Sequence, residues 1–331
     1  MLRSDPHRAG LLALEPGEIG LSIIGPAAPG LAQHHQPIAQ FCGQLEILGL
    51  RRPAHRCFDR GFFIAIGVKL VGHAGVPLRS KVELAAAIFG PWVGGSPIAR
   101  YTPRRMSDPT TIRRLYGRRQ GHKLRQGQTA LVEELLPRVA IPDQGPLDAV
   151  TLFGADRPME FEIGFGAGEH LAGQAAMRPD TGFIGCEPFL NGVVGALSHI
   201  RDQRLDNVRL YMGDALQALD RVPDASLDRL YLLHPDPWRK ARHAKRRMVN
   251  PGPLDLIAAK LKPGAEFRLG TDDPTYCRWS MMVMAGRRDF EWLASSAQDF
   301  LTRPDDWPET RYERKARRQG HEVWYFIFRR I

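Results

Sequence analysis

The chain has 331 residues, 43% of them hydrophobic and 25% charged, which is the composition of a globular protein with one large domain or two ordinary ones. Its formal net charge of +10 favours anionic partners, with nucleic acid first among them. No uninterrupted apolar run reaches the roughly 18 residues of a membrane helix, and the N-terminus lacks a signal-peptide pattern, so we expect no membrane partner.

The four cysteines are scattered along the chain, at Cys42, Cys57, Cys186 and Cys277. None of them forms a CxxC pair, so the sequence predicts neither a zinc site nor a disulfide framework, and we expect no metal. A reducing, cytoplasmic setting fits this cysteine usage.

Residues 1–105 differ in composition from the rest of the chain. They are rich in Gly, Pro, Ala and Arg, and prolines and glycines interrupt nearly every apolar run, so we predict that they build no good core. Our hypothesis is that Met106 is the natural initiator and that the upstream region is extraneous or disordered. A genuine extension of unknown role is the alternative.

Residues 106–157 are predicted to form a basic N-terminal arm, a helix and a linker. Segment 107–127 mixes arginines, lysine and histidine with Tyr116, a mixture that suits phosphate contact and base stacking, although a solvated arm is the alternative. A helix is predicted over 128–136, ended by Pro137, and residues 142–158 read as a linker.

From residue 158 onward, short apolar runs alternate with helical patterns. This alternation predicts an α/β fold with a doubly wound, mostly parallel sheet. The predicted strands are 159–163, 182–187, 208–212, 227–233, 266–269 and 322–328. The predicted helices in this part are 169–177, 188–199 and 253–261.

A glycine-rich loop follows the first of these strands, at Gly164, Gly166 and Gly168. Glycines between a strand and a helix let a ligand approach the backbone closely. The spacing is GxGxG and not the GxGxxG of dinucleotide binders, which argues against a nicotinamide-dependent dehydrogenase. Glu162 lies just before the loop in an apolar run, where a charge needs a partner, such as the ammonium of an amino-acid moiety.

Carboxylates stand at the ends of four successive predicted strands: Glu162, Glu187, Asp214 and Asp236. The carboxyl ends of parallel strands share one sheet edge, so the four side chains can converge on one crevice. Glu187 is placed to hold ribose hydroxyls and Asp214 to read an adenine amino group. Each carboxylate taken alone is better explained as a cap or a turn residue, whereas their common placement favours one shared site.

The segment from Pro235 to Trp238, with sequence PDPW, is followed by a basic run that extends to Arg247. The two prolines stiffen the backbone around Asp236 at the end of a strand. A stiff acidic loop beside a dense basic run predicts an active site for a polyanionic substrate, whereas a turn before a solvated helix is the alternative.

Residues 107–331 resemble the bacterial tRNA (guanine-N7)-methyltransferase family, whose members depend on S-adenosylmethionine. The resemblance rests on the glycine-rich loop and on four further motifs: Arg118-Arg119-Gln120-Gly121, Pro235-Asp236-Pro237-Trp238, Thr271-Asp272 and Thr310-Arg311-Tyr312-Glu313. It implies a Rossmann-like class I methyltransferase fold for residues 158–331, with an antiparallel C-terminal strand. It also implies tRNA as the partner. No obligate protein partner is evident from the sequence, and we expect a monomer or a homodimer, between which the sequence does not decide.

The resemblance further implies roles for individual residues. Cofactor contacts would come from Glu162, Gly164, Gly166, Gly168, Glu187, Asp214 and Asp236. Substrate contacts would come from Lys240, Asp272, Thr310, Arg311, Tyr312 and Glu313. Asp236 would be the catalytic residue, and the target would be N7 of guanosine 46 in the variable loop.

Two positions depart from the family pattern, namely His234, where an apolar or aromatic residue is expected, and Asp273, where an aromatic residue is common. Neither departure removes a functional group. A catalytically silent RNA-binding protein on the same fold, or a methyltransferase acting on another RNA or on protein, remains an alternative.

Overall fold

The computed structural model describes residues 119–331, and the predictions for residues 1–118 lie outside this part. The strands are β1 Met159–Ile163, β2 Gly182–Cys186, β3 Val208–Tyr211, β4 Leu227–Leu233, β5 Leu261–Thr271, β6 Phe290–Trp292 and β7 Trp324–Arg330. These seven strands form one sheet in the order β3-β2-β1-β4-β5-β7-β6. Strands β1 to β5 run parallel to one another, and β7 runs antiparallel to its neighbours β5 and β6. The predicted mostly parallel sheet with an antiparallel C-terminal strand is therefore confirmed.

Helices cover the sheet, and every residue of β1 and β2 is buried as a result. A central parallel strand that is covered on both faces favours a continuous apolar run over alternation. The helices are α1 Gln126–Glu134, α2 Leu136–Val139, α3 Ala149–Phe153, α4 Glu169–Met177, α5 Leu190–Gln203, α6 Ala215–Asp220, α7 Pro251–Lys260, α8 Pro274–Ala285, α9 Gln298–Leu301 and α10 Arg311–Arg318, with a 3₁₀ helix at Ala241–Arg246.

The region before β1 is more structured than the predicted linker. Helix α3 lies within residues 142–158, and the Asp148 carboxylate caps it by accepting a hydrogen bond from Thr151 N at 2.8 Å. Pro137 does not end the first helix, because α1 stops at Glu134 and Pro137 lies in the first turn of α2. Proline fits that position because its missing N–H would have no helical partner there.

The strand order reverses between β1 and β4, which places a crevice at the carboxyl ends of these two strands. An apolar cluster that includes Phe165, Leu171, Phe183 and Val193 packs α4 and α5 against the sheet beside this edge. The loops at the crevice therefore rest on a well-packed base. Within residues 119–331, no helix is both long enough and apolar enough to cross a membrane.

Candidate active site

The glycine-rich loop connects β1 to α4 through three glycines with positive φ angles. At Gly168, with φ of 82°, an added Cβ would lie 2.6 Å from the Ala196 Cβ on α5, so only glycine allows this close approach. At Gly164, by contrast, an added Cβ would meet nothing within 4 Å. The loop therefore packs tightly against α5 on one side and leaves open space at its start.

Glu187 follows β2 and fixes the glycine-rich loop. One carboxylate oxygen accepts a hydrogen bond from Gly166 N at 2.9 Å, and the other accepts from Phe189 N at 3.0 Å. Burial raises the pKa of Glu187 above its ordinary value, and the negative charges of Asp236 and Glu162 add to this rise. Glu162, Glu187 and Asp236 all lie at or just after the carboxyl ends of the neighbouring parallel strands β1, β2 and β4, so three of the four predicted carboxylates share one sheet edge.

Glu162 has a buried partner within the protein. It is 2% exposed, and its Oε2 lies 2.8 Å from Nδ1 of His170, which is itself 1% exposed. The other ring nitrogen of His170 lies 3.1 Å from the Gln174 amide. His170 was not predicted as a site residue, although its place in the first turn after the glycine-rich loop was an available signal. The predicted contact of Glu162 with an ammonium group stays a prediction.

The other two carboxylates at strand ends differ in exposure. Asp214 is buried and is the N-cap of α6, with one oxygen accepting from Leu216 N at 3.0 Å. Asp236 is exposed on the loop after β4. Its charge contributes to the raised pKa values of Glu187 and Tyr312. The cap interpretation thus holds for Asp214, and its predicted contact with adenine remains untested.

Arg247 holds the Pro235–Trp238 loop from beneath. Its guanidinium donates to Pro237 O at 2.9 Å and to Trp238 O at 3.0 Å, and it lies 4.6 Å from the centre of the Trp279 ring. Arg247 is only 4% exposed, so it does not contribute to the surface for a polyanionic substrate that the basic run predicts. The guanidinium N–H groups of Arg247 donate to the loop backbone and not to a substrate, which corrects that prediction for Arg247.

The remainder of the basic run faces outward. Lys240, Arg242 and Lys245 are exposed, on or next to the 3₁₀ helix. The Arg246 guanidinium lies 4.8 Å from the centre of the Trp238 ring, so this tryptophan is half-buried under an arginine. We call Lys240, Arg242 and Lys245 the basic ridge.

The predicted substrate motif at the start of α10 divides into buried and exposed pairs. Thr310 and Glu313 form a capping box, in which Glu313 accepts from Thr310 N at 3.0 Å and from the Tyr325 hydroxyl at 2.5 Å. Glu313 is completely buried, so this pair builds the helix start, and its contact with a substrate stays a prediction. Arg311 and Tyr312 are exposed, and Arg311 pairs with Glu169 at the start of α4 at 2.5 Å.

Asp272, at the end of β5, lies between two histidines. Its Oδ1 is 3.2 Å from Nδ1 of His234, and its Oδ2 is 3.7 Å from Nδ1 of His321. The hydrogen bond from His234 is the main reason that the pKa of Asp272 lies below its ordinary value. The neighbouring Asp273 is the N-cap of α8 and also accepts from Arg239 at 2.6 Å, which accounts for an acidic residue at this position.

The described part of the basic arm is attached to the start of α5, beside Glu187. Leu190 N donates to Arg119 O at 2.9 Å, and the Asn191 side chain accepts from Gly121 N at 2.7 Å and donates to His122 O at 3.0 Å. Residues 119–122 therefore border the crevice. The remaining residues of the predicted arm up to Arg118 lie outside the described part.

This arrangement can bind a ligand that carries hydrogen-bond donors. The open side of the glycine-rich loop admits a ligand backbone, and the carboxylates of Glu187 and Asp236 can accept from hydroxyl or amine groups. Among residues 119–331, no cluster of three or more His, Cys, Asp or Glu side chains could hold a metal ion.

The sequence is similar to those of known methyltransferases. Residues 156–326 match the family model described as a putative methyltransferase. The chain is 64% identical over 230 residues to the tRNA (guanine-N(7)-)-methyltransferase of Zymomonas mobilis, covering 70% of this chain and 100% of that protein. It is 61% identical over 235 residues to the protein of the same name from Sphingopyxis alaskensis, covering 69% of this chain and 99% of that protein. The solved structure of an antibiotic-related methyltransferase aligns with a TM-score of 0.38 and 16% identity over 54% of this chain and 90% of that one.

Proposed function

Because the chain belongs to the tRNA (guanine-N(7)-)-methyltransferase family, we propose that it transfers a methyl group from S-adenosylmethionine to N7 of a guanine in tRNA. Membership supports the tRNA guanine-N7 methyltransferase activity itself. The methyl donor, the target guanosine 46 and a cytoplasmic location are the finer parts of the proposal.

One observation carries the proposal, namely that the glycine-rich loop, Glu187 and the Asp236 loop share one sheet edge. S-adenosylmethionine offers an ammonium, ribose hydroxyls and an adenine amino group, all of which are donors. Glu162, Glu187 and Asp214 are the acceptors that we assign to them in this order. The open space at Gly164 and the three positive φ angles of the loop fit the close approach of such a cofactor.

When bound, S-adenosylmethionine supplies an electrophilic methyl group on a sulfonium sulfur. Guanine N7 has a free lone pair, so no residue of the chain has to remove a proton before the attack. The chain therefore contributes mainly by positioning. Asp236 would orient the reacting groups and stabilise the positive charge that develops on the purine, while Asp272 would accept from the guanine N1–H and 2-amino groups.

Phosphate contacts would come from the basic ridge, from Arg311 and from the basic arm within residues 106–157. Residues 158–331 would carry the catalytic machinery. The target base of a folded tRNA has to be exposed before it can reach the crevice, which is how enzymes that act on bases commonly gain access. We propose tRNA as the partner and a monomer or homodimer as the working form.

The test uses the full chain, radiolabelled S-adenosylmethionine and two tRNA transcripts, with guanine or 7-deazaguanine at position 46. We expect label in the guanine transcript alone, because 7-deazaguanine lacks the nucleophilic nitrogen. Asp236→Ala should reduce turnover by about 100-fold or more while tRNA affinity changes little, since one electrostatic group at a reacting centre has this order of effect.

Equal labelling of both transcripts would exclude N7 of guanosine 46 as the target. Cofactor and tRNA binding without any transfer would favour the catalytically silent RNA-binding protein. Full turnover by Asp236→Ala would remove Asp236 from its assigned role.

A further inference from the structure

His234 occupies a junction between three parts of the candidate active site. It is the last residue before the Pro235–Trp238 loop, and its φ angle of 47° is in the left-handed region, where His, Asn and Asp are enriched among non-glycine residues. Its backbone N–H donates to Gly270 O at 2.7 Å, which ties the start of the loop to β5. The backbone of His234 is therefore held in place against β5.

The imidazole contacts two side chains from different elements. Its Nδ1 faces Asp272 Oδ1 at 3.2 Å, and because a carboxylate only accepts, Nδ1 must carry the proton. The ring stacks on Tyr312 with 6.1 Å between centroids and 23° between planes. The His234 side chain is 5% exposed, whereas the Asp272 side chain is 33% exposed. His234 thus lies behind a carboxylate that remains partly exposed.

Tyr312 links this pair to the glycine-rich loop. A Cβ on Gly166 would lie 2.9 Å from the Tyr312 ring, so the ring rests directly on the loop. The stacked imidazole and phenol form one wall of the crevice, and Asp272 is attached to that wall through His234. A carboxylate held by a rigid donor distinguishes ligands by geometry better than one that is free to turn.

We propose that His234 is a specificity-determining positioning residue, which orients Asp272 so that its carboxylate accepts from both donors on the guanine Watson–Crick edge. Guanine offers N1–H and a 2-amino group, whereas hypoxanthine offers N1–H alone, although both bases have the same N7. The inference deepens the proposed function and rests on it. His234 therefore acts through Asp272 and sets the preference for guanine over hypoxanthine.

The test measures kcat/KM for methylation of two tRNA transcripts that carry guanine or inosine at the target position. We expect the unaltered protein to prefer guanine by roughly 10-fold or more, since a bidentate pair gives about this discrimination. His234→Phe keeps a stacking ring and removes the donor, so the preference should fall towards one. His234→Asn keeps a donor and tolerates the left-handed backbone, so it should retain most of the preference.

Two further variants keep the test decisive. His199→Asn changes a histidine on α5 and should leave the guanine preference unchanged. Asp272→Asn tests the same hydrogen bonds without altering position 234, and it should abolish the preference because the amide presents a donor to guanine. Equal decreases on both transcripts, with the guanine preference intact, in either His234→Phe or Asp272→Asn would overturn the inference.

Different results of this experiment would contradict the proposed function and the role of His234. Absence of methylation of the guanine transcript by the unaltered protein would remove the proposed function. Methylation with no preference for guanine over inosine would leave that function standing and overturn the role of His234.

Discussion

Among the carboxylates at the sheet edge, Glu187 combines burial with two backbone hydrogen bonds. The two N–H groups favour its ionised form, but the loss of solvation on burial outweighs them, so the pKa is raised from the ordinary value of 4.5. A ligand whose hydroxyl groups donate hydrogen bonds to the Glu187 carboxylate stabilises its ionised form and lowers its pKa. If Glu187 holds the ribose hydroxyls as proposed, cofactor binding is coupled to the proton on this one residue.

We predict that affinity for S-adenosylhomocysteine falls as the pH drops through the raised pKa of Glu187, because the protonated carboxyl accepts ribose hydrogen bonds less well. The stability effect has the opposite sign: the contribution of the protonated residue to folding is fully present below pH 4.5 and is lost as the pH rises through the raised pKa. Calorimetric titrations between pH 5 and 8 measure the affinity.

Glu187→Gln should bind more weakly at neutral pH and should lack the decline of the unaltered protein on the acid side. Glu134→Gln, which changes an exposed carboxylate on α1, is the matched control and should follow the unaltered protein. Parallel profiles for the unaltered protein and Glu187→Gln would assign the pH dependence to another group.

At the scale of elements, the Pro235–Trp238 loop depends on a residue ten positions further along the chain. Arg247 donates to two consecutive carbonyls of the loop, and Asn250 in turn donates to Arg247 O at 2.6 Å. Trp238 has a positive φ of 44°, which is costly for a bulky residue and persists only where the surroundings impose it. The chain after the loop thus holds the loop in shape.

Arg247→Lys should lower both the stability and the turnover of the protein. A lysine cannot present the planar fork that reaches two carbonyls, so the free energy of unfolding in urea should fall by roughly 1.5–3 kcal/mol, the usual range for a hydrogen bond to a charged group. The loosened loop should lower kcat by about 10-fold, with a smaller change in KM for tRNA.

Arg242→Lys is the matched control because Arg242 is exposed on the same 3₁₀ helix. It should leave both quantities nearly unchanged. If Arg247→Lys lowered only the affinity for tRNA, the result would contradict the role of Arg247 in holding the loop and would assign this residue to phosphate binding.

The elements differ in how far the sequence alone determines them. The bounds predicted for β1, α4 and β4 match the structure, because apolar runs bounded by glycine or proline are local signals. Helix α10 was missed, because its sequence RYERKARR carries no apolar stripe, and its start is stabilised by the buried Thr310–Glu313 capping box. Arg247 was also misjudged, because its contacts with the loop backbone do not show in any sequence spacing.

At the scale of the whole molecule, the basic ridge and the acidic crevice are neighbours at the carboxyl edge of the sheet. Only exposed side chains of the basic run can contact phosphates. Arg247 is buried and drops out of this group, whereas Lys240, Arg242 and Lys245 are exposed and stay in it. A basic surface beside carboxylates attracts the RNA backbone without neutralising the acidic crevice. Net charge alone indicated a polyanionic partner, whereas only the fold assigns the charges to a surface.

Removing two charges from the basic ridge should weaken tRNA binding and reduce its salt dependence. For Lys240→Gln/Lys245→Gln we expect the slope of log affinity against log salt to fall by about 0.7–0.9 for each phosphate that the protein no longer neutralises. Filter binding over a range of salt concentrations measures this slope. Arg288→Gln, at the opposite edge of the sheet beside the start of β6, should not alter it. An unchanged slope in the double variant would move the RNA surface elsewhere.

The position of β7 has a consequence for how the chain folds during synthesis. Strand β7 lies between β5 and β6, yet both of these leave the ribosome before it does. Until β7 is made, the hydrogen-bonding edge of β5 is open and β6 has no neighbour in the sheet, which exposes a template for pairing with other chains. The nascent protein therefore passes through an interval in which its sheet is incomplete, and slow translation of the segment between β6 and β7 should favour its aggregation.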